Sequence, residues 1–381
     1  MPEQKLLFTP GPLSTTSTVK RAMLRDVGSR DAEFLAAVRE IRQELLAVGG
    51  VKEPEYTAIP LQGSGTFAVE AMLGTAVPRE GLLLVAVNGA YGRRMVQIAE
   101  RLRISCEAVE YPENQPVEVE RLSQVLTSGQ HFTHLACVHC ETTTGLLNPI
   151  EDLGRLRDQF GFGFLVDAMS SFGGIPLNVA AARIDFLVSS ANKCLQGVPG
   201  FGFALARREA LEGCAGCARS FSLDLLAQWR GLETDGQFRF TPPTHALLAF
   251  RQALRELADE GGVPARYARY AANQQELVRG MRALGFKTYL EDQVQGPIIT
   301  SFLYPPSPAF DFERFYGGLG QRGFVIYPGK LSQAAAFRMG TIGNLGVAEI
   351  RALLAAVRAV LTEMGVPVPV GGRAGMPKEI A

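Results

Sequence analysis

The run Ile184-Asp185-Phe186-Leu187-Val188-Ser189-Ser190-Ala191-Asn192-Lys193 decides how this chain is read. Its first half is a short apolar strand; its second half is a polar turn that ends on a lysine. Lys193 is the only lysine between Lys52 and Lys287, and arginine supplies nearly all the other positive charge of that region. Lysine can give up its proton in a protein and arginine cannot, so a lone lysine at a strand end points to an amine used as a base or a nucleophile. Upstream, Gly163-Phe164-Leu165-Val166-Asp167 is a second apolar strand, and it closes on a carboxylate. The pair fits a Schiff-base lysine and an aspartate facing a pyridinium nitrogen, the two protein groups that pyridoxal phosphate chemistry most needs. A lysine that merely closes a strand beside a surface aspartate is the plainer alternative.

Outward from these two strands the same texture repeats. Leu82 to Val87 and Leu135 to Val138 are also short, apolar and followed by polar or glycine-containing sequence. Runs without polar alternation are expected of strands covered on both faces, as in a parallel sheet wrapped by helices. Between them Thr66 to Ala76, Gly92 to Leu102 and Ile150 to Gln159 carry apolar residues at three- and four-residue spacing, a helical pattern. The expectation is a doubly wound α/β domain over residues 1–255, with ligands at the C-terminal ends of its strands. A long helix from Pro243 to Gly261 leads into a smaller α+β domain over 256–366. Its elements are helices near Arg266 to Leu284 and Val347 to Met364, and strands at Ile298 to Leu303 and Phe337 to Gly340. Residues 367–381, rich in Pro and Gly, read as a loosely held tail.

Composition narrows the function. Lysine plus arginine equals aspartate plus glutamate at 38 each in 381 residues, so no polyanion-binding face is indicated and nucleic acid is not an expected partner. The first residues lack a basic segment followed by an apolar core, and no apolar run approaches the length of a membrane span; a soluble, unexported protein is expected. The six cysteines suit a reducing cytoplasm. Cys214-Ala-Gly-Cys217 and Cys137-Val-His139-Cys140 have metal-like spacing, but neither has the second pair of a structural zinc site, and isolated thiols with no metal are the expectation.

Three loops follow strands and would meet at one edge of the sheet. Gln62-Gly63-Ser64-Gly65-Thr66 opens an apolar helix, whose free amides and dipole can hold a phosphate, although the segment could equally be a plain turn with a helix cap. Asn88-Gly89-Ala90-Tyr91-Gly92-Arg93-Arg94 offers an aromatic ring to stack on a planar cofactor, although Tyr91 could equally cap the core. His139-Cys140-Glu141-Thr142-Thr143-Thr144-Gly145 brings three hydroxyls.

At this point the chain resembles the class V aminotransferases of pyridoxal phosphate fold type I, the group that holds alanine–glyoxylate and serine–glyoxylate aminotransferases. The likeness runs from Thr9-Pro10-Gly11-Pro12 to about residue 365. It is carried by Ser190-Ala191-Asn192-Lys193-Cys194-Leu195-Gln196-Gly197-Val198-Pro199-Gly200-Phe201-Gly202-Phe203, by Asp167-Ala168-Met169-Ser170-Ser171-Phe172-Gly173-Gly174 and by Arg239-Phe240-Thr241-Pro242-Pro243-Thr244. Within the family it is strongest toward a branch whose amine donor bears a phosphonate and whose acceptor is pyruvate, as in phosphonate catabolism. The resemblance implies pyridoxal 5′-phosphate as cofactor, with Lys193 as the Schiff-base lysine and Asp167 at the pyridine nitrogen. Ser64, Gly65, Thr66 and Asn192 fall on its phosphate side, Tyr91 at the ring-stacking position and Thr142 beside the ring hydroxyl. Many relatives carry tryptophan where this chain has Tyr91. Thr241 and Thr244 match a segment that reaches the phosphate of a neighbouring subunit, which implies a homodimer, and Arg338 matches the arginine that binds the substrate's acid group. The resemblance also leaves open a glyoxylate aminotransferase and, more remotely, a pyridoxal-dependent lyase or desulfurase, for which Cys194 is the thiol nearest the lysine.

Overall fold

The computed structural model describes residues 5–371 apart from 333. Seven strands form the central sheet, in the order Tyr56–Gln62, Phe201–Arg207, Phe186–Ser190, Gly163–Asp167, His134–Val138, Leu82–Val87 and Ser105–Glu110. Phe201–Arg207 runs antiparallel to both of its neighbours. All other pairings are parallel. The inner strands are the unalternated apolar runs, and Leu135, Ala136, Cys137, Phe164, Leu165 and Val166 are all fully buried. Each buried leucine, valine or phenylalanine among them contributes about 1.5–3 kcal/mol by leaving water.

Helices cover both faces. Gly65–Ala76, Ala90–Arg101 and Ile150–Phe160 form within a residue or two of the expected spans, and two more pack as Ala32–Val48 and Thr244–Glu260. Parallel strands joined by helices deliver all their C-terminal ends to one edge. Gln62, Val87, Val138, Asp167 and Ser190 therefore end their strands along the same rim, and the three expected loops start there.

A second core is built from Leu277, Phe302, Phe315, Phe337, Leu353 and Val357 with their neighbours. It lies between a small antiparallel sheet, in the order Ile299–Leu303, Ala336–Gly340, Tyr327–Pro328, and the helices Gly262–Ala283, Phe312–Gln321 and Val347–Glu363. The N-terminal residues belong to this body: Leu6 and Leu7 pair in parallel with Phe324 and Val325, and Phe8 is buried in the second core. Residues 367–371 of the expected loose tail begin on that core, where Val370 is buried and its N–H donates to the Leu284 carbonyl at 2.7 Å. The remainder of that tail, 372–381, lies outside the described residues. Among the bonds that tie the bodies together are those from Tyr289 Oη to Glu113 at 3.1 Å and from Ser301 Oγ to the Thr143 carbonyl at 3.0 Å.

Candidate active site

Asp167 closes its strand at the middle of the rim and is 3 % exposed. Its Oδ1 accepts the Met169 N–H at 2.8 Å, and among the described residues Oδ2 accepts no hydrogen bond. Burial pushes this carboxyl up to about 6, against the opposing pull of the Met169 N–H and the nearby charges of Arg94 and Lys193. The adjacent strand ends at Ser190 and places Lys193 three residues beyond. Burial lowers the Lys193 ammonium to about 8, although Asp167 favours its charged form. Its Nζ donates to the Pro10 carbonyl at 2.9 Å. Gly11 makes that approach feasible: it sits at φ +117, and a Cβ there would lie 2.8 Å from Lys193 Cδ and 2.9 Å from the Asn192 carbonyl. Asn192 itself is half-buried in the same turn.

On one flank the Gly65–Ala76 helix begins with Ser64 as its N-cap. Neither Ser64 nor any other side chain caps that first turn; the Phe67 and Ala68 N–H groups return to the Ser64 carbonyl, and the Gly65 and Thr66 amides are left for a ligand. Gly63 at φ +110 makes the turn into it, and Gly65 admits Met169, whose sulfur would stand 2.2 Å from an added Cβ. Thr66 Oγ1 accepts from Arg94 at 3.3 Å. Gln62 Nε2 reaches across to the carbonyls of Phe240 at 2.6 Å and Thr241 at 3.0 Å, and so holds the segment with exposed Thr241 and half-buried Thr244 beside the same loop.

On the other flank Thr142 is buried, with its hydroxyl 2.6 Å from that of Ser170. Its carbonyl accepts from Arg338 Nη1 at 2.9 Å, and the Pro328 carbonyl accepts from Arg338 Nε at 3.0 Å. Arg338 sits on Ala336–Gly340 of the second body, 2 % exposed, and among the described residues no carboxylate pairs with it. Burial lowers its proton affinity, partly offset by Tyr91 and Tyr327. Tyr91 lies in the first turn of Ala90–Arg101, half-buried, with its phenol pushed up by burial. The structure therefore gathers Lys193, Asp167, Tyr91, Thr142 and Arg338 around one rim, with Ser64, Gly65, Thr66 and Asn192 at its edge.

Two contributors lie outside the residues expected from the sequence. The Pro10 carbonyl is backbone and has no residue-type signature. Glu141 stands in the hydroxyl loop, is fully buried and accepts the N–H groups of Gly92 at 2.9 Å and Tyr91 at 3.2 Å. Burial raises it to about 7, opposed by those same N–H groups. Its signal was available: a single acid between Cys140 and Thr142 at the end of an apolar strand. Cys194, in contrast, turns its Sγ to the Ser170 carbonyl at 3.3 Å, and burial pushes the thiol up to about 12. A desulfurase needs a thiolate, and this thiol is kept neutral.

A buried carboxylate with one free oxygen, an amine of lowered proton affinity and an uncapped helix N-terminus are the groups a pyridine ring, an aldehyde and a phosphate require. The class V aminotransferase family model matches residues 15–315, and the chain belongs to that family. Among its relatives, a 2-aminoethylphosphonate–pyruvate transaminase of Syntrophobacter fumaroxidans is 52 % identical over 361 residues, covering 94 % of this chain and 97 % of the relative. A transaminase of the same description from Salmonella typhimurium is 51 % identical over 358 residues, 93 % of this chain and 97 % of the other. In three dimensions the chain is similar to alanine–glyoxylate aminotransferase of Nostoc sp., with a TM-score of 0.87 and 28 % identity across 95 % and 96 % of the two chains.

Proposed function

We propose that this enzyme transfers the amino group of 2-aminoethylphosphonate to pyruvate, giving phosphonoacetaldehyde and alanine, with pyridoxal 5′-phosphate as cofactor and phosphonate catabolism as its setting. The names and coverage of the relatives support the reaction. The observation that carries the reading is Arg338, a buried guanidinium with no carboxylate partner among the described residues, whose fork is braced by two carbonyls. A permanent planar charge suits a phosphonate in one half-reaction and a carboxylate in the other.

When bound, pyridoxal phosphate supplies the electron sink that acidifies the C–H bond beside the transferred nitrogen. Asp167, at the sheet edge, would hold a proton at the ring nitrogen, and a cationic partner there would bring its proton affinity back down. Lys193 would hold the cofactor through its aldehyde, and its Nζ, as a free amine, would serve as the base that carries the proton of the donor's C–H bond. With a proton affinity near 8 the free amine is already partly neutral in mildly alkaline solution. Tyr91 would cover one ring face and Thr142 the hydroxyl edge, while Ser64, Gly65, Thr66 and Asn192 would hold the phosphate. We further propose a cytoplasmic homodimer in which Thr241 and Thr244 reach the partner's phosphate site. The exposed Phe221 and Phe240, with Arg239 5.1 Å from each ring, form an apolar face beside that segment that a second subunit would cover.

Stopped-flow absorbance of the two half-reactions tests the substrate assignment. Wild-type enzyme should convert rapidly to the amine form of the cofactor with 2-aminoethylphosphonate and be regenerated by pyruvate. Conversion by alanine or serine alone, with none by the phosphonate, would replace this reading with a glyoxylate aminotransferase. Arg338→Ala should impair both half-reactions by about 2–5 kcal/mol, and Arg338→Lys should recover little of that.

A further inference from the structure

The helix Ala90–Arg101 carries adjacent arginines whose surroundings differ. Arg93 is exposed and pairs with Glu110 at 3.3 Å. Arg94 is half-buried, and among the described residues no carboxylate pairs with it. Its Nη1 donates to Thr66 Oγ1 at 3.3 Å, and its guanidinium lies 4.7 Å from the centre of the Tyr91 ring. Thr66 is in the first turn of Gly65–Ala76, where uncapped amides already place positive partial charge. A guanidinium and a helix N-terminus thus converge with no carboxylate paired to them among the described residues; the nearby Asp167 acts on Arg94 without pairing with it. Two positive features repel each other unless a negative group joins them. Arginine offers a planar, permanently charged fork suited to an anion's oxygens.

On the cofactor reading given above, we infer that Arg94 is a phosphate ligand of this site: its guanidinium, braced on the Tyr91 ring and on Thr66, supplies counter-charge to the dianionic phosphate of pyridoxal 5′-phosphate. The arrangement has a second effect on the same cofactor. Arg94 is the largest nearby charge acting on Asp167, and it favours the carboxylate form, so the cation that holds one end of the cofactor helps keep the group at the other end ionised. Arg338, on the second body, remains free for the substrate's acid group.

The test strips the cofactor from holoenzyme and titrates it back, following absorbance, with pyridoxal 5′-phosphate and in parallel with pyridoxal, which has the ring and aldehyde but no phosphate. Arg94→Met should weaken pyridoxal 5′-phosphate about ten- to a hundredfold, the range for losing a charge-assisted hydrogen bond, and leave pyridoxal unchanged. Arg94→Lys should fall between wild type and Arg94→Met, and wild-type affinity should drop more steeply with salt than that of Arg94→Met. Equal weakening of both ligands would overturn the inference and assign Arg94 to holding Tyr91 against the ring; an unchanged affinity for pyridoxal 5′-phosphate would overturn it as well. Should Arg94→Met fail to fold, Arg94→Lys carries the same comparison. Failure of the wild-type protein to bind pyridoxal 5′-phosphate would instead remove the cofactor reading itself.

Discussion

At the scale of single residues, the site is assembled against the stability of the unliganded protein. Asp167 is raised from 3.8 to about 6 by burial, so the folded chain takes up a proton that the unfolded chain does not between about pH 4 and 6. Stability without cofactor therefore falls as pH rises through that window and stays reduced above it. Lys193 has the complementary slope: lowered from 10.5 to about 8, it makes the folded chain gain stability as pH rises from about 8 to 10.5. Asp167→Asn, stripped of cofactor, should consequently melt higher than wild type at pH 8, by on the order of 1–3 kcal/mol, with the gap narrowing at pH 5. It should also lose most transaminase activity, because the ring nitrogen is no longer kept protonated. Paired melting curves at the two pH values check this. A cofactor-free Asp167→Asn that melts lower than wild type at pH 8 would contradict the strained-carboxylate account.

Among the elements, the decisive one is the helix Ala90–Arg101, which carries both Tyr91 and Arg94 and whose first turn is tied to Glu141. Gly89 leaves room for that carboxylate, since a Cβ there would stand 2.4 Å from Glu141 Cδ. Removing the acceptor strands two backbone donors. Glu141→Ala should cost about 1–3 kcal/mol in the cofactor-free protein and weaken cofactor binding further by freeing Tyr91, and Glu141→Gln should recover part of both. Calorimetry with and without cofactor separates the two losses, and an unchanged melting point for cofactor-free Glu141→Ala would refute the tie. What the sequence made legible follows the same physics. Strands buried on both faces are unbroken apolar runs, so four of the central strands stood out, as did the lysine and aspartate at two of their ends. Ser105–Glu110 is an edge strand with most of its residues exposed, and Tyr56–Gln62, on the opposite edge, contains Pro60; neither looks like a core strand. The reversed direction of Phe201–Arg207 has no compositional mark at all, because apolar residues pack equally well either way. Glu141 and the Pro10 carbonyl escaped because their roles depend on which backbone groups arrive beside them.

For the whole molecule, the site is shared between bodies that are separate in the sequence, and the proposed dimer would share it again. Mixing Lys193→Ala subunits with Thr241→Ala/Thr244→Ala subunits tests that sharing. Random reassortment should rebuild about one quarter of wild-type sites if the threonines serve the partner, whereas activity no higher than that of the unmixed double variant would place them in their own subunit's site. The N-terminal arm adds an order of events. Leu6 and Leu7 need Phe324 and Val325 as strand partners, the Gly340 N–H donates to the Phe8 carbonyl at 2.9 Å, and two residues later the Pro10 carbonyl reaches the Lys193 amine. Contacts of such long sequence separation form late. During synthesis this arm must wait for its strand partners Phe324 and Val325, so the lysine stays without its lid until that part of the second body is made, and a nascent chain paused short of it cannot complete the site.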